Sequence, residues 1–251
     1  MKCAGDSEQK MEDSEMASWS SERREKRLQQ AYNPGEEMSV SAYNAWLGGI
    51  VLYGLIMNII LCYALGERMI YAFARNPILF YITYLACCII GILLSSKSDS
   101  ALISFIGYNL VAVPIGFVIS ISVTIYGGVD DPIVIQAFLI TIVTTAFMVV
   151  LSMIKPEWFA NIGPVLFISI IGLIIAEVIL LILGVEQLWT AWIGAGIFSL
   201  YIGYDFYRSQ MYNKTLNNAV DSALDIYLDV INLFLRILQI LGSRGGSSKK
   251  R

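Results

Sequence analysis

Long, continuously apolar stretches separated by short polar breaks make up most of this chain. Six of them, 43–65, 77–94, 101–126, 132–154, 162–183 and 188–206, are near the length of about 20 residues that a helix needs to cross hydrocarbon. They do not alternate apolar with polar positions, which argues against a membrane β-barrel. A seventh stretch, 223–241, is long enough but carries Asp225, Asp229, Asn232 and Arg236. The pattern predicts an all-α integral membrane protein of seven transmembrane helices over 39–242. A polar, charged and disordered tail is expected at 1–38 and a short basic tail at 243–251. No apolar run opens the chain, so no cleavable signal peptide is expected.

The seventh stretch has a periodicity of its own. Asp221, Asp225, Asp229, Asn232 and Arg236 recur at the three- and four-residue spacing of one helix face. The rest of the circumference is apolar. Such a helix turns its polar face to a bundle interior or a watery cavity, because an unpaired charge at membrane depth is expensive. The seventh helix is therefore expected at the centre of the bundle, its stripe aimed partly at the sixth helix and Asp205. An interfacial helix would carry Lys and Arg on its polar face, and this one carries aspartates. Near a helix start, Asp221 and Asp225 also suit the helix dipole without any further role. Glu177, inside the fifth run, has no basic residue nearby in sequence; it either hydrogen-bonds across helices or lines a pathway. Asn58 and Asn109 read as interhelical hydrogen-bond partners.

Composition agrees with the pattern. Hydrophobic residues make up 57% and charged residues only 15%, against about 25% charged in soluble domains. Basic residues gather beside the breaks after the second, fourth and sixth runs and in the tail at Arg23, Arg24, Lys26 and Arg27. By the positive-inside rule the N-terminus is cytoplasmic. Arg68 and Arg75 after the first run go against this. So does the basic C-terminal tail if the seventh helix crosses fully, which is the expectation; a re-entrant helix would return that tail to the cytoplasm. On this orientation Asp205 and Asp229 lie at similar depth near the cytoplasmic end, joined by a turn over 207–222.

The chain contains no histidine. This removes His-based triads and His-ligated metals, and leaves any pH response near neutrality to carboxylates. Two carboxylates a few ångströms apart in a low dielectric cannot both ionise freely, so they titrate as a pair. A shared proton would lock two helices together. Its loss would separate them or recruit a cation, and calcium, which takes several hard oxygen ligands, suits such a site. The cysteines form no metal or redox spacing. An intramembrane aspartyl protease also uses two aspartates, but the second acid here sits in IYLDVIN and not in a glycine-rich setting, so no enzyme activity is expected.

The segments FSLYIGYD and ALDIYLDVINLFLRILQILG resemble the Bax inhibitor-1 family, also called the transmembrane Bax inhibitor motif family. The likeness spans roughly 38–242, and the interval between Asp205 and Asp229 matches its bacterial members. The resemblance implies a seven-helix fold with the last helix central. It also implies a pH-sensitive calcium leak, with Asp205 and Asp229 as proton sensor, gate and transient calcium ligands. Bacterial members engage that pair with an arginine near the end of the second span. The comparable place here reads LLSSKSDS, making Lys97 the nearest counterpart. Asp225 is an extra acid, and with Lys97 and Glu177 it is a candidate pathway or gate residue. Calcium is thus the expected cargo, with no cofactor and no nucleic-acid partner. The expected setting is a bacterial plasma membrane. The competing expectation is a non-conducting regulator of stress survival that acts through partners such as a membrane protease.

Overall fold

A computed structural model describes residues 37–185 and 187–246. The expected N-terminal tail and most of the C-terminal tail lie outside the described residues. Eight helices follow one another: α1 (Val40–Arg75), α2 (Pro77–Lys97), α3 (Ala101–Ile125), α4 (Pro132–Ile154), the single turn α5 (Pro156–Ala160), α6 (Gly163–Leu183), α7 (Leu188–Met211) and α8 (Leu216–Gly246). There is no strand among the described residues.

Local chemistry sets several helix ends. The Ser39 side chain accepts from the Ala42 amide at the start of α1, Asn76 accepts from Leu79 at the start of α2, and Asp131 accepts from Ile133 at the start of α4. These are ordinary N-caps, and Pro77 and Pro132 follow them in the first helical turn, where a missing N–H costs nothing. Gly184 ends α6 in the left-handed region, with φ 67°. At the α7–α8 turn, the Lys214 ammonium donates to the carbonyls of Gln210 at 2.7 Å and Tyr212 at 2.9 Å, closing the end of α7.

Five helices, α1, α2, α3, α4 and α6, are long and apolar enough to cross a membrane. The last two expected spans are helical and long, at 24 and 31 residues, but are not among those five. Burial accounts for the difference. Lipid demands apolar side chains only from surfaces that face it, and α8 is mostly covered by protein. It packs against α7, α1, α4 and α3, so it occupies the middle of the bundle. Helices α2 and α6, which keep most of their surface exposed, are near-continuous hydrocarbon.

Two expected boundaries need correction. The turn predicted over 207–222 is confined to residues between Met211 and Leu216. Arg208 and Asn218 look like loop residues but are helical; their polar groups find partners inside the protein, Arg208 at Asp205 and Tyr212 and Asn218 at the Asn213 carbonyl. Likewise α1 does not stop at 65. It continues to Arg75 as one helix of 36 residues, about 54 Å long at 1.5 Å per residue. Arg68 and Arg75 therefore stand on a helix extension, not in a loop, which explains why they fit the loop-charge pattern poorly.

Hydrogen bonds from three neighbours hold α8. Tyr43 of α1 donates to Ser222 at 3.3 Å, and the Asn58 amide donates to the Tyr227 hydroxyl at 2.5 Å. From α2, Ser95 donates to Asp221, and from α3, Ser104 donates to Asn217 at 2.8 Å. Asn109 serves the α1–α3 contact, accepting from Tyr53 at 2.7 Å. Both asparagines are thus interhelical partners.

Helices α2 and α3 meet at bare backbone. A Cβ on Gly107 would stand 2.5 Å from the Gly91 carbonyl oxygen and 2.8 Å from the Ser95 nitrogen. Small residues let membrane helices approach this closely. Gly107→Ala must push backbone against backbone, and overpacking of this kind costs about 1–3 kcal/mol. The expected result is a lower thermal unfolding midpoint for the detergent-solubilised protein, with Gly172→Ala, where a Cβ meets nothing within 4 Å, as the unaffected control.

Candidate functional site

Asp205 lies near the C-terminal end of α7 and Asp229 near the middle of α8, and both are only 8% exposed. The two carboxyl groups lie within hydrogen-bonding reach of each other. A bond between two carboxyls requires a proton on one of them. Oδ2 of Asp229 is buried, and no N–H or hydroxyl group among the described residues donates to it.

A third acid and one base complete the cluster. The charges acting on Asp229 are those of Asp205, Asp225 and Arg208. Arg208 sits one turn beyond Asp205 on α7, its Nη1 donating to Asp205 Oδ1 at 3.1 Å. It is held in place from the far side, where Nε and Nη2 both donate to the Tyr212 hydroxyl, at 3.1 and 2.9 Å. Three carboxyls around a single guanidinium leave a formal surplus of two negative charges. In a low-dielectric interior, such a surplus calls for a proton or a cation. Among the described residues, no group of three or more His, Cys, Asp or Glu side chains is arranged to hold a metal ion. A cation here would meet the two aspartates and water.

The residues expected to act with the pair are distributed differently. Lys97 is exposed at the end of α2, and the guanidinium beside the aspartates belongs to Arg208. The sequence carried a signal for Arg208: an acid and a base three apart on a helix are neighbours. Reading 207–222 as a turn hid it. Glu177 is the second difference. It has a basic partner after all, since Arg236 meets it with two nitrogens, one of them Nη2 at 3.0 Å from Oε2. Gly194 of α7 makes the room: a Cβ there would lie 3.1 Å from Arg236 Nε. In the α3–α4 loop, Asp131 caps α4, and Asp130 accepts from the Tyr63 hydroxyl at 3.0 Å.

The stripe on α8 does not act as one unit. Asp221 turns to Ser95 of α2, Asp229 to Asp205 of α7 and Arg236 to Glu177 of α6. Yet the half-covered positions in the middle of α8, Asp225, Leu228, Asn232, Leu235, Arg236 and Gln239, fall on one side. That side runs from the acidic cluster to the ion pair, and four of its six residues are polar. The central helix thus presents an incompletely covered polar track between two charged stations.

Known proteins resemble this arrangement in sequence. An uncharacterised protein of Helicobacter pylori (strain ATCC 700392 / 26695) is 34% identical over 109 residues, covering 43% of this chain and 46% of its own length. An uncharacterised protein of Campylobacter jejuni is 32% identical over 119 residues, 47% of this chain and 49% of that one. The Golgi anti-apoptotic protein of vaccinia virus (strain Lister) is 30% identical over 131 residues, 50% of this chain and 55% of that one. The chain therefore spans about half the length of the curated relatives it matches. The family described as inhibitor of apoptosis-promoting Bax1 matches far more, residues 42–246. That range takes in every long helix and both charged stations, and the chain belongs to this family, a multi-pass Bax inhibitor-1 membrane protein.

Proposed function

We propose that this protein is a pH-sensitive cation leak, with calcium as its cargo, in a bacterial plasma membrane with the N-terminus cytoplasmic. The observation that carries the reading is the Asp205–Asp229 pair, buried and within hydrogen-bonding reach of each other, with Asp225 nearby and Arg208 as the base acting on them. With a proton shared between them, the two carboxyls hold α7 against α8. Without it, like charges face each other beside Asp225, and Arg208 offsets only one of them. The helices then part or a divalent cation takes the proton's place, and hard carboxylate oxygens suit calcium. The half-covered polar side of α8 supplies the continuation of a path toward Arg236 and Glu177. Binding by two aspartates and water is weak enough for an ion to leave as well as enter, as conduction requires.

A second reading is favoured by the name of the viral relative, an anti-apoptotic protein. In that reading the chain is a non-conducting regulator working through membrane partners, and the aspartate pair is a structural latch. Calcium entry into dye-loaded proteoliposomes containing only the purified protein separates the two. Protein-dependent flux that changes across pH 5–8 supports the leak. Absence of flux at every pH, from protein that unfolds cooperatively and is therefore folded, supports the regulator.

A further inference from the structure

A cavity of about 260 Å³ lies between α1 and α4, with α3 and α8 as its floor. Its side walls, α1 and α4, make almost no direct contact with each other, so the slot opens sideways. The rim residues Ile135 and Ile142 are 46% and 45% exposed, facing what is hydrocarbon around a membrane protein. The lining is almost wholly apolar. Away from its mouth the polar members are few: Thr141 donates to the Ala137 carbonyl at 2.7 Å and the Asn58 amide donates to Tyr227, while Asn58 Oδ1, turned toward Gly116 of α3, accepts from no group among the described residues. One open acceptor in an otherwise apolar lining falls short of the two to four partners a buried water needs. A dry cavity of about 150 Å³ already accepts benzene, so this one has room for a longer apolar group.

One end of the slot is different. There Asp130, exposed in the α3–α4 loop, accepts from Tyr63 through Oδ1, and both residues line the cavity. An apolar slot opening to lipid, with a carboxylate at its mouth, matches an amphiphile carrying a positive head. We propose that it is a binding site for a phospholipid with a primary-amine headgroup, one acyl chain lying in the slot and the ammonium on Asp130. The chain would press on Val230, Ile231 and Phe234 of α8. The first two directly follow Asp229 in sequence, so the lipid would bear on the helix that carries the acidic pair. The site stands whether or not the protein conducts calcium.

The test is native mass spectrometry of the full-length detergent-purified protein, offered phosphatidylethanolamine and phosphatidylcholine with identical acyl chains. The wild type is expected to retain one phosphatidylethanolamine about fivefold better than phosphatidylcholine, the size of a single partly exposed ion pair. Asp130→Asn should erase that preference. Val134→Phe, which fills the slot, should lower retention of both lipids. Ile135→Trp narrows the exposed rim without touching the core and should do the same if Val134→Phe folds poorly. Equal retention of both lipids by the wild type, retention unchanged by both slot variants, or release as a dimer closed by this face would each overturn the proposal.

Discussion

Asp229→Asn is expected to hold calcium flux at the wild type's acid limit at every pH. Asparagine is nearly isosteric with the protonated acid, carries no charge and donates a hydrogen bond. Opposite Asp205 it reproduces the proton-shared pair and cannot lose that proton. In proteoliposomes the wild type should change its flux at least about tenfold between acidic and neutral pH, the response to a bias of about 1.4 kcal/mol between two states. The variant's profile should be flat. Asp205→Asn should flatten it too, and the double variant should add nothing, because two groups sharing one proton form one titrating unit. A variant keeping the wild-type profile would remove Asp229 from the sensing role. Arg208 gives a sharper check. Its guanidinium lies 3.1 Å from Asp205 and favours the ionised pair. Arg208→Gln should therefore move the flux profile to higher pH, whereas Lys97→Ala, at an exposed position on α2, should leave it in place.

How this site could be read from the sequence follows from what hydropathy measures. Five spans were legible because their surfaces face lipid, and lipid filters composition directly. The central position of α8 was legible because Asp225, Asp229 and Asn232 on one helix face cannot point into hydrocarbon. The approach of Asp205 to Asp229 follows from the same constraint. Arg208 was obscured because polar residues in a buried helix resemble those of a loop. Only their partners, Tyr212 and Asp205 here, tell the two apart. The Glu177–Arg236 pair was illegible for another reason. It joins α6 to α8 across α7, and the close passage depends on the missing side chain of Gly194. Nothing local to either residue reports such a contact. The cleft beside α1 and α4 was hidden in the same way, since a gap between helices leaves no trace in either helix's own pattern.

That ion pair carries the largest expected effect on stability, and the effect should be unequal between its two ends. The pair lies about 10 Å along α8 from Asp229, two turns at 1.5 Å per residue. Its side chains are 18% and 21% exposed. Arg236→Met leaves the Glu177 carboxylate at membrane depth without its partner, and removing one member of a buried pair costs about 3 kcal/mol or more. For a domain of this size that corresponds to a fall of about 6–12 °C in the unfolding midpoint, measurable in detergent by thermal scanning. Glu177→Gln should cost less. The glutamine stays neutral, and the long, partly exposed arginine side chain can carry its charge along the half-covered side of α8 toward water. Combining the two substitutions should recover most of the loss from Arg236→Met, because a neutral pair of similar size has no charge to bury. A double variant as unstable as the sum of the singles would show that the residues act separately. Equal losses at both ends would show that Arg236 has no route to water, and that α6 seals the polar side of α8 more tightly than its half-covered positions indicate.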